Sequence, residues 1–126
     1  MPAIYVEVGK MNTSKAPKEY AAKAEAAMKD AVTSAVKGDK ALTDKKGEGY
    51  TVRLSVADLK VDGGKVSCKL SGELVRAPKP EMVSTSISAS ANAQGGKPES
   101  LVVDCVGAAA ESMMKKIIPV MKAQAR

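Results

Sequence analysis

Six stretches of this chain carry a regular hydrophobic pattern, with a period of two in four of them and a helical period in the others. Residues 3–8 (AIYVEV) read as a strand, with Ile4, Val6 and Val8 on one face, Tyr5 and Glu7 on the other, and Gly9 as its end. Residues 14–36 read as a helix: Tyr20, Ala24, Ala27, Met28, Ala31 and Ala35 form an apolar stripe. Thr13 or Ser14 is placed to cap it, Pro17 suits its first turn and Gly38 its stop. Residues 39–49 form a charged, glycine-containing loop. A strand over 50–61, with Tyr50, Val52, Leu54 and Val56 alternating against Thr51, Arg53, Ser55 and Ala57, reaches the hairpin signal Asp62-Gly63-Gly64. The return strand, 65–75, turns Val66, Cys68, Leu70 and Leu74 inward; Gly72 interrupts that face and marks a bulge or a close helix contact. After Pro78-Lys79-Pro80, residues 82–93 alternate again, with Val83, Thr85, Ile87, Ala89, Ala91 and Ala93 inward. The shrinking inward side chains fit either a helix crossing closely or a weak edge strand.

The longest apolar run, residues 101–121, forms the final helix, opened by Pro98. Val102, Val106, Ala109, Met113, Ile117 and Val120 make its main stripe, and Pro119 is expected to kink or loosen its last turn. Its apolar arc is wider than one sheet contact needs. Met114, Ile118 and Met121 are left over: they make a partner or homodimer surface, or are covered by the end of the first strand or by the charged loop. The Ala-rich faces of the two helices are expected to pack at the close end of the usual range. The order β-α-β-β-β-α implies an α+β fold in a single domain, residues 1–126. Its expected form is a mainly antiparallel four-stranded sheet with two helices packed on one face. The first strand reaches the second through a helix and is free to pair in parallel with a neighbour.

Composition narrows the chemistry. With three Tyr and no Phe or Trp, the core is aliphatic and Ala-rich. The absence of His removes imidazole acid–base catalysis, the Ser-His-Asp arrangement and the commonest zinc ligand. Carboxylates are dispersed, and no calcium loop, phosphate loop or nucleophile elbow is present. No catalytic, metal-binding or cofactor-binding residue is therefore assigned, and the chain reads as a non-enzyme. Cys68 on a strand and Cys105 on the last helix both face the core. They form a disulfide clip, typically worth about 2–4 kcal/mol, or two buried thiols. The net charge of +6 favours acidic partners or simply solvates the surface. Lys40, Lys45 and Lys46 in the charged loop come closest to a basic patch, beside the plainer reading of a connector. No run is apolar enough to span a membrane, and MPAIYVEV carries no signal-peptide pattern.

Two resemblances bear on partners. The α-β-β-β-α order resembles double-stranded-RNA-binding domains. Those carry a basic cluster at the start of their second helix, where this chain has Pro98-Glu99-Ser100-Leu101. The segments GYTVRLSVADLKVDGGKVSCKLSGELV and VDCVGAAAESMMKKIIPVM make a strand–turn–strand followed by a terminal amphipathic helix. In that layout the chain resembles the small α/β domains of bacterial envelope lipoproteins of the curli-secretion and Tol-associated type, although it shows no lipobox. This resemblance implies a non-enzymatic periplasmic adaptor or assembly domain and transfers no functional residues. The expected function is thus a non-catalytic binding, adaptor or assembly domain of the cell envelope, with a protein partner or a second copy. The alternative is a cytoplasmic basic domain that binds nucleic acid.

Overall fold

The computed structural model describes residues 3–124, and for residues 84–86 the main chain only. The elements are β1 (Ile4–Val8), α1 (Lys18–Lys37), β2 (Leu42–Thr43), β3 (Gly49–Asp62), β4 (Lys65–Ala77), β5 (Met82–Gln94) and α2 (Pro98–Gln124). Among the described residues the sheet has five strands in the order β2-β1-β3-β4-β5. It is mixed: β1 runs parallel to both β2 and β3, while β3, β4 and β5 are antiparallel neighbours. This corrects the mainly antiparallel four-stranded sheet expected from the pattern. The extra strand, β2, lies inside the charged loop and is too short to show a period. The parallel pairing follows from connectivity, because a helical crossover returns the chain in the direction it left.

Both helices cover one face. α2 lies over β4 and β5, and α1 packs against α2 and reaches β1, β2 and β3. One continuous core joins Val6, Tyr50, Val52, Leu54, Leu70 and Leu74 to Ala24, Met28 and Val32 of α1 and to Val106, Ala109, Met113 and Ile117 of α2. No polar or charged side chain is buried among the described residues. Ala24 of α1 and Ala109 and Ala110 of α2 are fully enclosed, as expected of Ala-rich helix faces meeting in the core.

Two irregularities keep the apolar residues inside. A register shift between Val56 and Asp58 re-phases β3, so that Leu59 is buried although it breaks the alternation begun at Tyr50. A second irregularity lies opposite Gly72, where β5 carries the extra residues of the β4–β5 register shift, and Gly72 itself makes the close helix contact. A Cβ at Gly72 would strike the Met113 methyl group of α2 and come within 3.2 Å of Leu54 Cδ2. By strand parity Val75 and Ala77 lie on the opposite face from Leu70 and Leu74. They are buried there together with Tyr5, apart from the main core.

The helix ends differ from expectation. α1 has no side-chain cap. Its chain enters through extended Pro17 (φ −55°, ψ 139°), and Asn12 Oδ1 accepts the Ser14 N–H instead. α2 continues through Pro119 to Gln124. Two contacts hold the turn beyond the proline: Tyr50 donates its hydroxyl to the Met121 carbonyl at 3.4 Å, and Lys122 pairs with Asp39 at 2.9 Å.

Candidate interaction site

The residues singled out from the sequence fall in three different places. Met114 and Met121 are 1% and 0% exposed and Ile118 is half-buried, so of the two readings of this trio, partner surface or covered face, the burial matches the second. The surplus apolar arc of α2 is used up by α1, which lies beside it on the same sheet face. Val103 of α2 is an apolar side chain that does face solvent, 40% exposed. Lys40, Lys45 and Lys46 are exposed and flank β2, where the Thr43 hydroxyl accepts the Lys45 N–H at 3.2 Å.

Cys68 of β4 and Cys105 of α2 are brought together. Both are buried free thiols, and the Cys105 sulfur lies 3.0 Å from the Cys68 sulfur and 3.3 Å from the Ala91 carbonyl. Burial pushes the Cys68 thiol well above its ordinary range, and the neighbouring Cys105 sulfur adds to the shift.

The uncovered face of the sheet holds an open groove of about 690 Å³, lined by Glu7, Lys10, Asn12, Thr51, Arg53 and Glu73 among others. Its lining mixes Lys10, Arg53 and Arg76 with Glu7 and Glu73. Arg53 meets Glu73 at 3.8 Å, and Thr51 donates to Glu7 at 3.0 Å. Charge of one sign does not accumulate in this groove. It therefore lacks the electropositive stripe that phosphate recognition uses.

The least satisfied part of the molecule is an edge. β5 is the last strand in the sheet order, so its outer row of N–H and C=O groups has no strand partner among the described residues. It is 13 residues long, MVSTSISASANAQ, and contains no charged residue, no proline and no glycine. Charge, proline and shortness are the usual means of blunting such an edge. The opposite edge has two of the three: β2 is two residues long and runs into the charged residues Asp44, Lys45 and Lys46. Ile87, Ala91 and Ala93 on the core side of β5 are only partly buried. From the helix layer the Lys116 ammonium reaches across and donates to the Ser88 carbonyl. The sequence contained this signal in the uncharged alternation of residues 82–94, but the strand order that makes it an edge is set by non-local pairing.

Among the described residues no helix is long and apolar enough to cross a membrane, which says nothing of spanning strands. No family model matches the chain, and no curated protein is similar to it. Solved structures share its fold. A dodecamer of a PelC variant from Paraburkholderia phytofirmans superposes with a TM-score of 0.58 at 12% identity, covering 90% of this chain and 91% of that one. The hypothetical protein CT253 from Chlamydia trachomatis gives 0.56 at 8% identity, covering 93% and 94%. A minor lipoprotein from Acinetobacter baumannii aligns more loosely, at 0.37 with 14% identity, covering 90% and 91%. The resemblance to small envelope domains drawn from the sequence stands as one of overall fold.

Proposed function

We propose that this chain is a non-catalytic assembly domain of the bacterial cell envelope, and that it associates with a second copy of itself by pairing β5 with β5. The observation that carries the reading is the unguarded β5 edge, 13 residues without a charge. Strand addition at such an edge gains main-chain hydrogen bonds along its whole length. A second copy is favoured over head-to-tail growth because the other edge, β2, offers only two residues to pair with. Antiparallel pairing of β5 with itself sets Ser and Ala against Ser and Ala, brings no like charges together and covers the exposed flanks of Ile87, Ala91 and Ala93. The symmetry is that of a closed dimer, which larger assemblies can then use as a unit. PelC forms a dodecamer, and the shared fold lends self-assembly support. The envelope location rests on the resemblance read from the sequence.

Sedimentation across a concentration series tests the association. The expected result is a reversible dimer of the 13.0 kDa chain, with β5 amides protected from hydrogen exchange as it forms. A monomer at millimolar concentration overturns self-pairing. Fractionation of the source cells tests the location: the protein is expected with the envelope, and recovery in the cytosol refutes that part.

A further inference from the structure

We infer that Cys68 and Cys105 form a modification site, an intramolecular disulfide that closes during folding and clips α2 to β4, the strand beside the β5 edge. The two sulfurs are 3.0 Å apart, and a bonded pair needs about 2.05 Å. A shift of about 1 Å between a helix and the strand beneath it is within ordinary side-chain adjustment. The surroundings leave room for it. Cys68 lies opposite Ala91 in the β4–β5 register, and the nearby inward positions of β5 are Ala89 and Ala93. No bulky side chain of β5 stands at the crossing point, which makes physical sense of the shrinking side chains along that strand. Nothing nearby suits either thiol to catalysis. Both are buried, and the upward shift at Cys68 keeps it protonated, so a redox role toward outside substrates is disfavoured.

The same burial sets when the bond forms. In the folded protein neither sulfur is open to an exchange partner. In the unfolded or nascent chain both are exposed and ionise normally. One thiolate attacks the disulfide of an oxidant, either glutathione disulfide or an oxidoreductase disulfide. One thiol of the oxidant leaves, giving a mixed disulfide. The second cysteine then displaces the remaining thiol. The balance is two protein thiols and one oxidant disulfide giving one protein disulfide and two oxidant thiols. Folding brings the second cysteine to the first, so the native fold drives closure. Once shut, the bond is shielded from reductants.

The experiment starts from the reduced, urea-unfolded chain, refolds it in a glutathione redox buffer, and blocks remaining thiols with iodoacetamide under denaturing conditions. Intact mass then counts the alkylated cysteines. The expected product carries none, and its closure equilibrium is about 100-fold more favourable under native conditions than in urea. The closed form is expected to melt about 10 °C above the reduced form. Two alkylated cysteines in the refolded product, or equal closure equilibria in the two solvents, overturns the inference. The Cys68→Ala/Cys105→Ala variant controls for folding. It is expected to keep the reduced protein's circular dichroism and to lose the redox dependence of its melting temperature. A redox dependence that persists in this variant also counts against the site. The measurement needs only the monomeric chain, so its outcome is independent of β5 pairing and of location in the cell.

Discussion

The two edges of the sheet are built on opposite plans. At the β2 end the chain pairs in parallel, the edge strand is two residues long, and charged residues follow it directly. The same end is tied down repeatedly. Ile4 N–H donates to the Ala41 carbonyl, the Asp39 carboxylate accepts from the Ala41 N–H, and Lys122 of the last helix pairs with Asp39. At the β5 end the pairing is antiparallel, the edge runs for 13 residues, and the helix layer reaches its main chain through Lys116 at the Ser88 carbonyl and Cys105 at the Ala91 carbonyl. One edge is finished by the fold and the other is left for something to finish. Short, charged strands end a sheet, whereas long uncharged ones extend it.

Damage to the finished side should have the largest effect on stability. A Cβ on Gly49 would run into the main chain of Tyr5, where β1 and β3 meet. Gly49→Val is therefore expected to cost about 3 kcal/mol or more in urea denaturation by parting β1 from β3. Wild-type stability in this variant would mean that the parallel half of the sheet contributes little. The next largest effect is on association, and it should be one-sided. Ser90→Lys sets like charges close together across a β5–β5 pair and is expected to weaken the dimer at least about tenfold by sedimentation. Thr43→Lys on the opposite edge is expected to leave association unchanged. Equal effects from the two lysines would abolish the distinction between the edges.

Smaller effects sharpen the same contrast. Lys116 occupies one β5 carbonyl that strand pairing would use, so Lys116→Ala is expected to tighten association a few-fold, with little change in melting temperature. Weaker association in that variant would show that Lys116 belongs to the interface rather than guarding it. The smallest effect is at Asp39. The Lys122 hydrogen bond, with that from the Ala41 N–H, holds its carboxyl below the usual carboxylate range. A depressed native pKa stabilises the fold above the unfolded carboxylate value near about 4, and the benefit is lost as pH falls through the lower native value. Asp39→Asn should thus melt slightly below wild type at neutral pH and equal to it in strong acid. The difference should stay under about 1 kcal/mol, because Lys122 is half-exposed. A gap that widens on acidification would contradict the pairing.

How much of this was legible in the sequence depended on the range of the interaction. Local periodicity located both helices and the four long strands, and the inward residues of β4 with them. The β3 re-phasing was visible in principle, since Leu59 and Val61 resume the alternation one residue out of step. β2 left no pattern, because two residues held by parallel neighbours need none. The choice between a partner surface and a covered face on α2 stayed open for a related reason. Met114 and Met121 are apolar in excess of one sheet contact, but α1 lies beside α2 and uses that excess. The inward placement of Thr85 lies outside the described side chains. The pairing of Cys68 with Cys105 across the two layers was anticipated from their faces alone, because strand parity and helix phase both point inward.

The hydroxyl bond from Tyr50 to the end of α2 gives this chain an optical handle of its own. With no tryptophan present, intrinsic fluorescence and the aromatic part of the near-ultraviolet dichroism come from three tyrosines, and Tyr50 is the most enclosed of them, 2% exposed. Its phenol touches the last turn of α2 beyond Pro119, and the Arg76 guanidinium lies 5.7 Å from the centre of its ring. Fraying of that turn would free the phenol and alter its dichroic band before the helical signal as a whole declined. A substitution of Tyr5 and Tyr20 by phenylalanine would leave Tyr50 as a single-site reporter of how the final helix docks, with no dye attached.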